Sequence, residues 1–192
     1  RGRLATDREY DFAAAPALDV LRRLKAEGLI RFAGISGNHA EPMQRIVEAI
    51  DVDTFLLAFN YDLLRRRGRD VLPVARRKGA AALVGAIFQQ GLATPNPDWL
   101  DDPPRWMTPA LADRYRALYR LQGESGMSLA TMGVRYMVGQ SEVDVIIIGA
   151  RRAEEIVECA RAAEAGPLPD DLVAAIEAIQ PAAPPAQRGV GR

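Results

Sequence analysis

"LIRFAGISGNHAEPMQRIVEAI", residues 29–50, decides the reading of the fold. The mostly apolar run "IRFAGI" delivers a small polar turn, "GISGN" (34–38), and a helical pattern follows at once. There Met43, Ile46, Val47 and Ile50 recur at i, i+3, i+4 and i+7, and Pro42 suits the first turn. Strand, tight turn and helix in succession make a β-α unit, and the unit recurs. "DTFLLAF" precedes the basic helix "RGRDVLPVARRKG", where Pro73 marks a first turn or a kink. "AALVGAIF" precedes a Pro-rich segment and two helices, "PALADRYRALYRLQG" and one capped by Ser128 with Leu129, Met132, Gly133, Tyr136 and Met137 on a single face. "VDVIIIGA" precedes "AEEIVECARAA". A helix from Pro16, with Ala17, Leu18, Leu21 and Leu24 at helical spacing and Gly28 as its stop, comes before these units. "PDDLVAAIEAIQ" comes after them.

Apolar strands alternating with helices predict an α/β fold whose parallel strands are covered by helices on both faces. The pattern leaves two architectures open, a doubly wound sheet or an arc of a (β/α)8 barrel; four strands are too few to close a barrel of about 250 residues. Residues 1–15 read as irregular, 92–109 as a long structured loop, and 181–192 as a mobile Pro/Gly-rich tail after one domain, 1–180.

The 192 residues suffice for one sizeable core. The 25 basic and 25 acidic side chains cancel, which argues against nucleic acid and membrane surfaces as partners. No apolar run reaches the ~18 residues of a membrane span. One cysteine, Cys159, excludes an intrachain disulfide and favours a cytoplasmic setting, and with one histidine, His39, no His/Cys zinc cluster forms. The chain starts at Arg1 without a signal-peptide pattern, and reads as a processed or partial chain.

In parallel α/β folds chemistry sits at the carboxyl ends of strands. Those ends read "SGNH" (36–39), "NYDLL" (60–64), "FQQGL" (88–92) and "GARR" (149–152). Ser36 and Asn38 either finish a turn or offer neutral donors and acceptors to an amide such as nicotinamide. Gly91 allows close backbone approach after Gln89 and Gln90. "GARRAEE" opens a helix whose free N–H groups favour phosphate, with Arg151 and Arg152 adding charge. His39 reads as an exposed loop residue, "RRRGR" (65–69) as a solvated helix start, and Asp170 and Asp171 as dipole compensation. Neither G-x-G-x-x-G nor a P-loop pattern occurs. These residues supply no nucleophile with its base, no metal site and no acid–base pair, as if half of a site were present.

The segments together resemble the C-terminal half of the aldo-keto reductase superfamily, over residues ~16–180. "ALDVLRRLKAEGLIRFAGISGN", "GAIFQQGLAT" and "SLATMGVRYMV…VDVIIIGARRAEEIVECARA" carry the resemblance, in that family's order and spacing. "GISGN" and "IFQQG" resemble the aldose, fucose and galactose dehydrogenase-like branch. The resemblance implies a partial (β/α)8 TIM barrel, strands 5 to 8 with their helices plus a C-terminal helix, and an NAD(P)-dependent oxidoreductase acting on aldehydes, ketones or sugar hemiacetals. It implies that Ser36 and Asn38 hold the nicotinamide carboxamide. The Phe88 backbone, Gln90 and Gly91 would cradle the pyrophosphate, and Gly149, Ala150, Arg151 and Glu158 the adenosine end.

Several positions depart from the family pattern. Gly37 is inserted between Ser36 and Asn38; Ala58 replaces a glutamine, Gly85 an aromatic, Ile87 a proline and Cys159 an asparagine. Glu155 stands where some members carry an arginine for the 2′-phosphate, which favours NAD over NADP. The family's catalytic Asp, Tyr, Lys and His belong to strands 2 to 4, and neither His39 nor Tyr61 falls at their positions. No catalytic residue is therefore assigned, and the N-terminal half of the barrel is the expected partner. The rival expectation is a non-catalytic, nucleotide-sensing or interaction half-barrel. Trp99 and Trp106 are candidates for lining a substrate loop.

Overall fold

The computed structural model describes residues 15–89, 102 and 107–179. Gln90, Gly91, Trp99, Trp106 and the segments 1–14 and 181–192 lie outside the described residues.

The elements run α1 (Pro16–Ala26), β1 (Gly34–Gly37), α2 (Ala40–Ala49), β2 (Thr54–Ala58), α3 (Gly68–Arg77) and β3 (Ala81–Gly85). They continue with α4 (Pro109–Ser125), α5 (Leu129–Val138), β4 (Val145–Ile147), α6 (Ala153–Glu164) and α7 (Asp170–Ala178). All strand pairs are parallel, in the order β1-β2-β3-β4. Consecutive order removes the doubly wound alternative, whose strand order reverses at a switch point. Crossovers of one hand between neighbouring strands carry the connecting helices to the same face, as in a barrel arc.

Burial follows that geometry. Phe55 and Leu57 of β2 and Ala82 and Val84 of β3 are wholly buried on the helix-covered face. Burying a large apolar side chain contributes about 2 kcal/mol. Met43, Val47, Val71, Leu72, Met132, Tyr136 and Met137 join them in one core. On the opposite face Ser36, Leu56, Leu83 and Val145 stand in register across the sheet. Val145 and Ile147 are 45% and 44% exposed, and Leu56 and Leu83 are half-buried. The expectation of helices on both faces is thus corrected: among the described residues one sheet face stays open.

A ladder ties the strands at their amino ends. Asp53 donates its backbone N–H to the Ala33 carbonyl at 2.8 Å, and its carboxylate accepts from Ala33 N at 2.7 Å and from Lys25 Nζ. Those bonds, Lys25 first, hold the Asp53 carboxyl below the usual carboxylate range. Asp144 repeats the arrangement one strand pair on, giving its N–H to Ala82 O and accepting from Ala82 N.

The arginine run also needs correcting. Arg65 is 7% exposed. Arg66 donates to the carbonyls of Ile176 at 2.7 Å, Ile179 at 3.0 Å and Leu63 at 3.1 Å. It thereby caps the last turn of α7, whose carbonyls lack helical partners. Arg69 binds Glu177, Tyr136 and Tyr61. A planar fork of donors suits such carbonyl-rich surroundings, so these side chains are structural.

Candidate functional site

The turn after β1 is shaped by two close approaches. A Cβ on Gly34 would lie 1.9 Å from Thr54 Oγ1, and one on Gly37 would lie 2.4 Å from Met43 Sδ. Gly37, the inserted residue, therefore lets the chain pass over α2. Side chains alternate along a strand. Gly37 faces Met43, and Ser36 and Asn38, two positions apart, are both exposed.

Three non-glycine residues adopt left-handed backbone beside the two central strands: Phe59 (φ 60), Ala86 (φ 58) and Gln89 (φ 50). Such conformations cost of order 1–3 kcal/mol and concentrate at functional sites. Phe59 follows β2 directly and donates its N–H to Gly85 O at 3.2 Å. Asn60, 1% exposed, donates from Nδ2 to Asn38 O at 2.8 Å and to Ala58 O at 2.7 Å. Asp62, 2% exposed, accepts the backbone N–H groups of Leu64 and Arg65 on Oδ1, each at 2.8 Å. Its Oδ2 has no hydrogen-bond partner, and Arg65 approaches it to 3.7 Å. Burial pushes the Asp62 carboxyl up to about 6 despite Arg65 and the two backbone donors. Tyr115 donates to Gln89 Oε1 at 2.6 Å, and the buried Gln89 side chain also lies against Asp62, where its amide favours the carboxylate.

The turn after β4 behaves differently. Gly149, Ala150, Arg151 and Arg152 are exposed. Glu155 accepts Arg151 N at 2.8 Å and lies 3.3 Å from Arg152 Nε. The Arg151 N–H, followed by the two guanidinium charges, holds the Glu155 carboxyl below its ordinary range. The N-terminal turn of α6 thus already carries an anion of its own. Glu158, expected at the adenosine end, accepts on Oε1 from the hydroxyls of Ser128 and Thr131, tying α6 to the start of α5. The Phe88 ring packs within 3.6–3.8 Å of the Cβ position of Gly133 on α5, leaving only its backbone for a ligand.

Proton donors are scarce here. His39 is exposed and precedes α2 without capping it. Tyr61 is wholly buried, its hydroxyl bound to Gln140, Glu142 and Arg69. Burial and then Glu142 push that hydroxyl well above the usual phenol range. Cys159 is buried among apolar neighbours in a groove of about 550 Å³ between α5, β4 and α6, and burial raises its thiol. Among the described residues no cluster of three His, Cys, Asp or Glu is placed to hold a metal.

The structure therefore places Ser36 and Asn38 together at the carboxyl end of β1, and Gly149, Ala150 and Arg151 together at that of β4. Asn60 and Asp62 carry no role that the sequence pattern assigns. Their signal there is an amide and an acid following an apolar strand in "LLAFNYD", and burial of both is not visible from the pattern.

Pyridoxal 4-dehydrogenase of Microbacterium luteolum is 29% identical over 143 residues, covering 71% of this chain and 40% of that protein. D-threo-aldose 1-dehydrogenase of a Pseudomonas species is 22% identical over 153 residues (78% of this chain, 46% of that protein). L-galactose dehydrogenase of Arabidopsis thaliana is 23% identical over 153 residues (77% and 46%). The chain thus spans less than half the length of these relatives. In fold it is similar to the aldo-keto reductase AKR11C1 of Bacillus halodurans in its holo form, with a TM-score of 0.68 at 22% identity over 88% of this chain and 57% of that one. Residues 6–181 match the profile of the Aldo/keto reductase family, and with the parallel, consecutively ordered sheet this establishes that the chain belongs to that family.

Proposed function

We propose that this chain is the cofactor-binding half of an NAD(P)-dependent oxidoreductase that acts on aldehydes, ketones or sugar hemiacetals. Its strands correspond to barrel strands 5 to 8, and the catalytic proton donor belongs to an N-terminal half that covers the open sheet face. The pyridoxal, aldose and galactose dehydrogenases it resembles support that substrate class. The observation that carries the reading is the turn after β1. Ser36 and Asn38 are exposed polar side chains with the same alternation, and their backbone is fixed from below by Gly37 and Asn60.

These residues fit a nicotinamide amide. The amide presents one acceptor and two donors, and a hydroxyl plus a carboxamide answer both. When bound, the cofactor supplies or accepts hydride at the nicotinamide C4. Ser36 and Asn38 orient the ring, and the open sheet face excludes water only when covered. At the other end Glu155 already holds the Arg151 N–H and both arginine charges, so a ribose hydroxyl fits there better than a 2′-phosphate. NAD is therefore favoured over NADP. Gln90 and Gly91, with the Phe88 backbone, remain the candidates for the pyrophosphate.

The test is NADH binding by the chain, read by calorimetry, with Ser36→Ala and Asn38→Ala. Each substitution is expected to weaken NADH by about threefold to tenfold. Unchanged affinity in both would sink the assignment.

A further inference from the structure

The buried amide of Asn60 joins two strand ends that the backbone ladder does not join. Its Nδ2 lies 2.8 Å from Asn38 O, beyond the last residue of β1, and 2.7 Å from Ala58 O, the last residue of β2. Two carbonyl acceptors on one side of the amide fix its orientation, because only the nitrogen end donates. The side chain is 1% exposed, so it is not available to a ligand. It is aimed by Phe59, whose left-handed backbone (φ 60) turns the chain at the end of β2. A non-glycine residue held there marks a place where the surrounding structure imposes geometry at a cost. The Asn60 carbonyl also accepts the Gly68 N–H at 3.2 Å, anchoring the same residue to the start of α3.

We propose that Asn60 is a positioning residue for the cofactor-reading turn: through its bond to the Asn38 carbonyl it sets the backbone from which Ser36 and Asn38 meet the nicotinamide amide. This rests on the nicotinamide reading of that turn. Around it the turn is held by the β1–β2 pairing of Ser36 and Gly37, by Gly37 against Met43, and by the His39 carbonyl, which accepts the Met43 N–H at 3.0 Å. The bond from Asn60 reaches the Asn38 peptide, which lies between these restraints. Its loss loosens the Asn38 peptide between those restraints and removes the Nδ2 donor from the Asn38 and Ala58 carbonyls.

Two variants separate donor from volume. Asn60→Leu keeps nearly the volume and removes the donor; Asn60→Ala removes both. Amide hydrogen exchange of the chain, followed by mass spectrometry, reads the turn without any cofactor. Both variants are expected to raise exchange over residues 34–43 about tenfold while residues 81–85 of β3 are unchanged. Calorimetry then compares NADH with ADP-ribose, which lacks the nicotinamide. Both variants are expected to weaken NADH about threefold to tenfold and to leave ADP-ribose unchanged. Exchange like that of the unsubstituted chain in Asn60→Leu overturns the proposal, since volume alone then suffices. An equal loss for NADH and ADP-ribose also overturns it, since the defect is then general. If the unsubstituted chain binds no NADH, the nicotinamide reading fails, and the exchange data alone decide whether Asn60 positions the turn.

Discussion

Glu155 accepts the backbone N–H of Arg151 through Oε2 at 2.8 Å, while its other oxygen lies 3.7 Å from the guanidinium of the same residue. One carboxylate thus occupies the donor and the charge that a phosphate at this turn would seek. The arrangement is exposed, and salt screens it.

NADH is accordingly expected to bind at least as tightly as NADPH, with a preference of about tenfold or less. Glu155→Arg should reverse the order, because it frees the Arg151 N–H and adds a cation. Dissociation constants for both cofactors in one buffer check this. A tenfold preference for NADPH in the unsubstituted protein would show that Arg151 and Arg152 read the phosphate despite Glu155.

Asp62 should impose a pH dependence of the opposite sign to the exposed carboxylates. Its folded value, about 6, lies above the ordinary value of 3.8, so between those values the folded state holds the proton more tightly than the unfolded state. Its contribution to stability is full below pH ~4 and is lost as pH rises through 6, by roughly 3 kcal/mol. Arg65, Gln89 and Tyr115 face the same buried cluster. Asn replaces Asp at equal volume without titrating. The stability difference between Asp62→Asn and the unsubstituted chain should therefore move in favour of the variant from pH 4 to pH 7. Denaturant melts at both pH values measure it, and a constant difference contradicts the assignment. Asp53 runs the other way: its depressed carboxyl contributes stability above pH ~4 that is lost on acidification.

Arg66→Ala is expected to destabilise the chain by about 2–4 kcal/mol, because the carbonyls of Leu63, Ile176, Glu177 and Ile179 lose their donor and Glu177 loses a cation at 3.5 Å. Arg66→Lys should recover less than half of that, since an ammonium cannot span carbonyls spread along a helix end. Urea midpoints give the answer, and full recovery by lysine would reduce the role of Arg66 to its charge.

The isolated chain should self-associate. Both outer strands, β1 and β4, carry an unpaired edge, and Val145 and Ile147 expose apolar side chains on the open face. Sedimentation should show concentration-dependent assembly that Ile147→Lys reduces without lowering the melting temperature. A compact monomer at all concentrations would refute this.

The sequence by itself determined the element order and type, because the 3.6-residue and near-continuous apolar patterns of α2, α5 and β2 are local properties of the chain. It also determined the helix stops at Gly28 and Gly79, whose positive φ values of 71° and 82° suit glycine, and the Ser128 cap, which accepts Thr131 N at 3.0 Å. The resemblance of the motifs was legible for the same reason, since spacing along the chain carries it. Strand ends were less so: β1 begins at Gly34, not at Ile30, because pairing with Thr54 rather than apolarity sets its start. Only the tertiary structure decided which sheet face stays open, since that depends on strand order. It alone turned Arg66 of "RRRGR" from a solvated side chain into the cap of α7, because Ile176 and Ile179 lie more than a hundred residues away in sequence. It also gave Asn60 and Asp62 their places, because burial and the partners of a buried polar group arise from segments that meet only when the chain has folded.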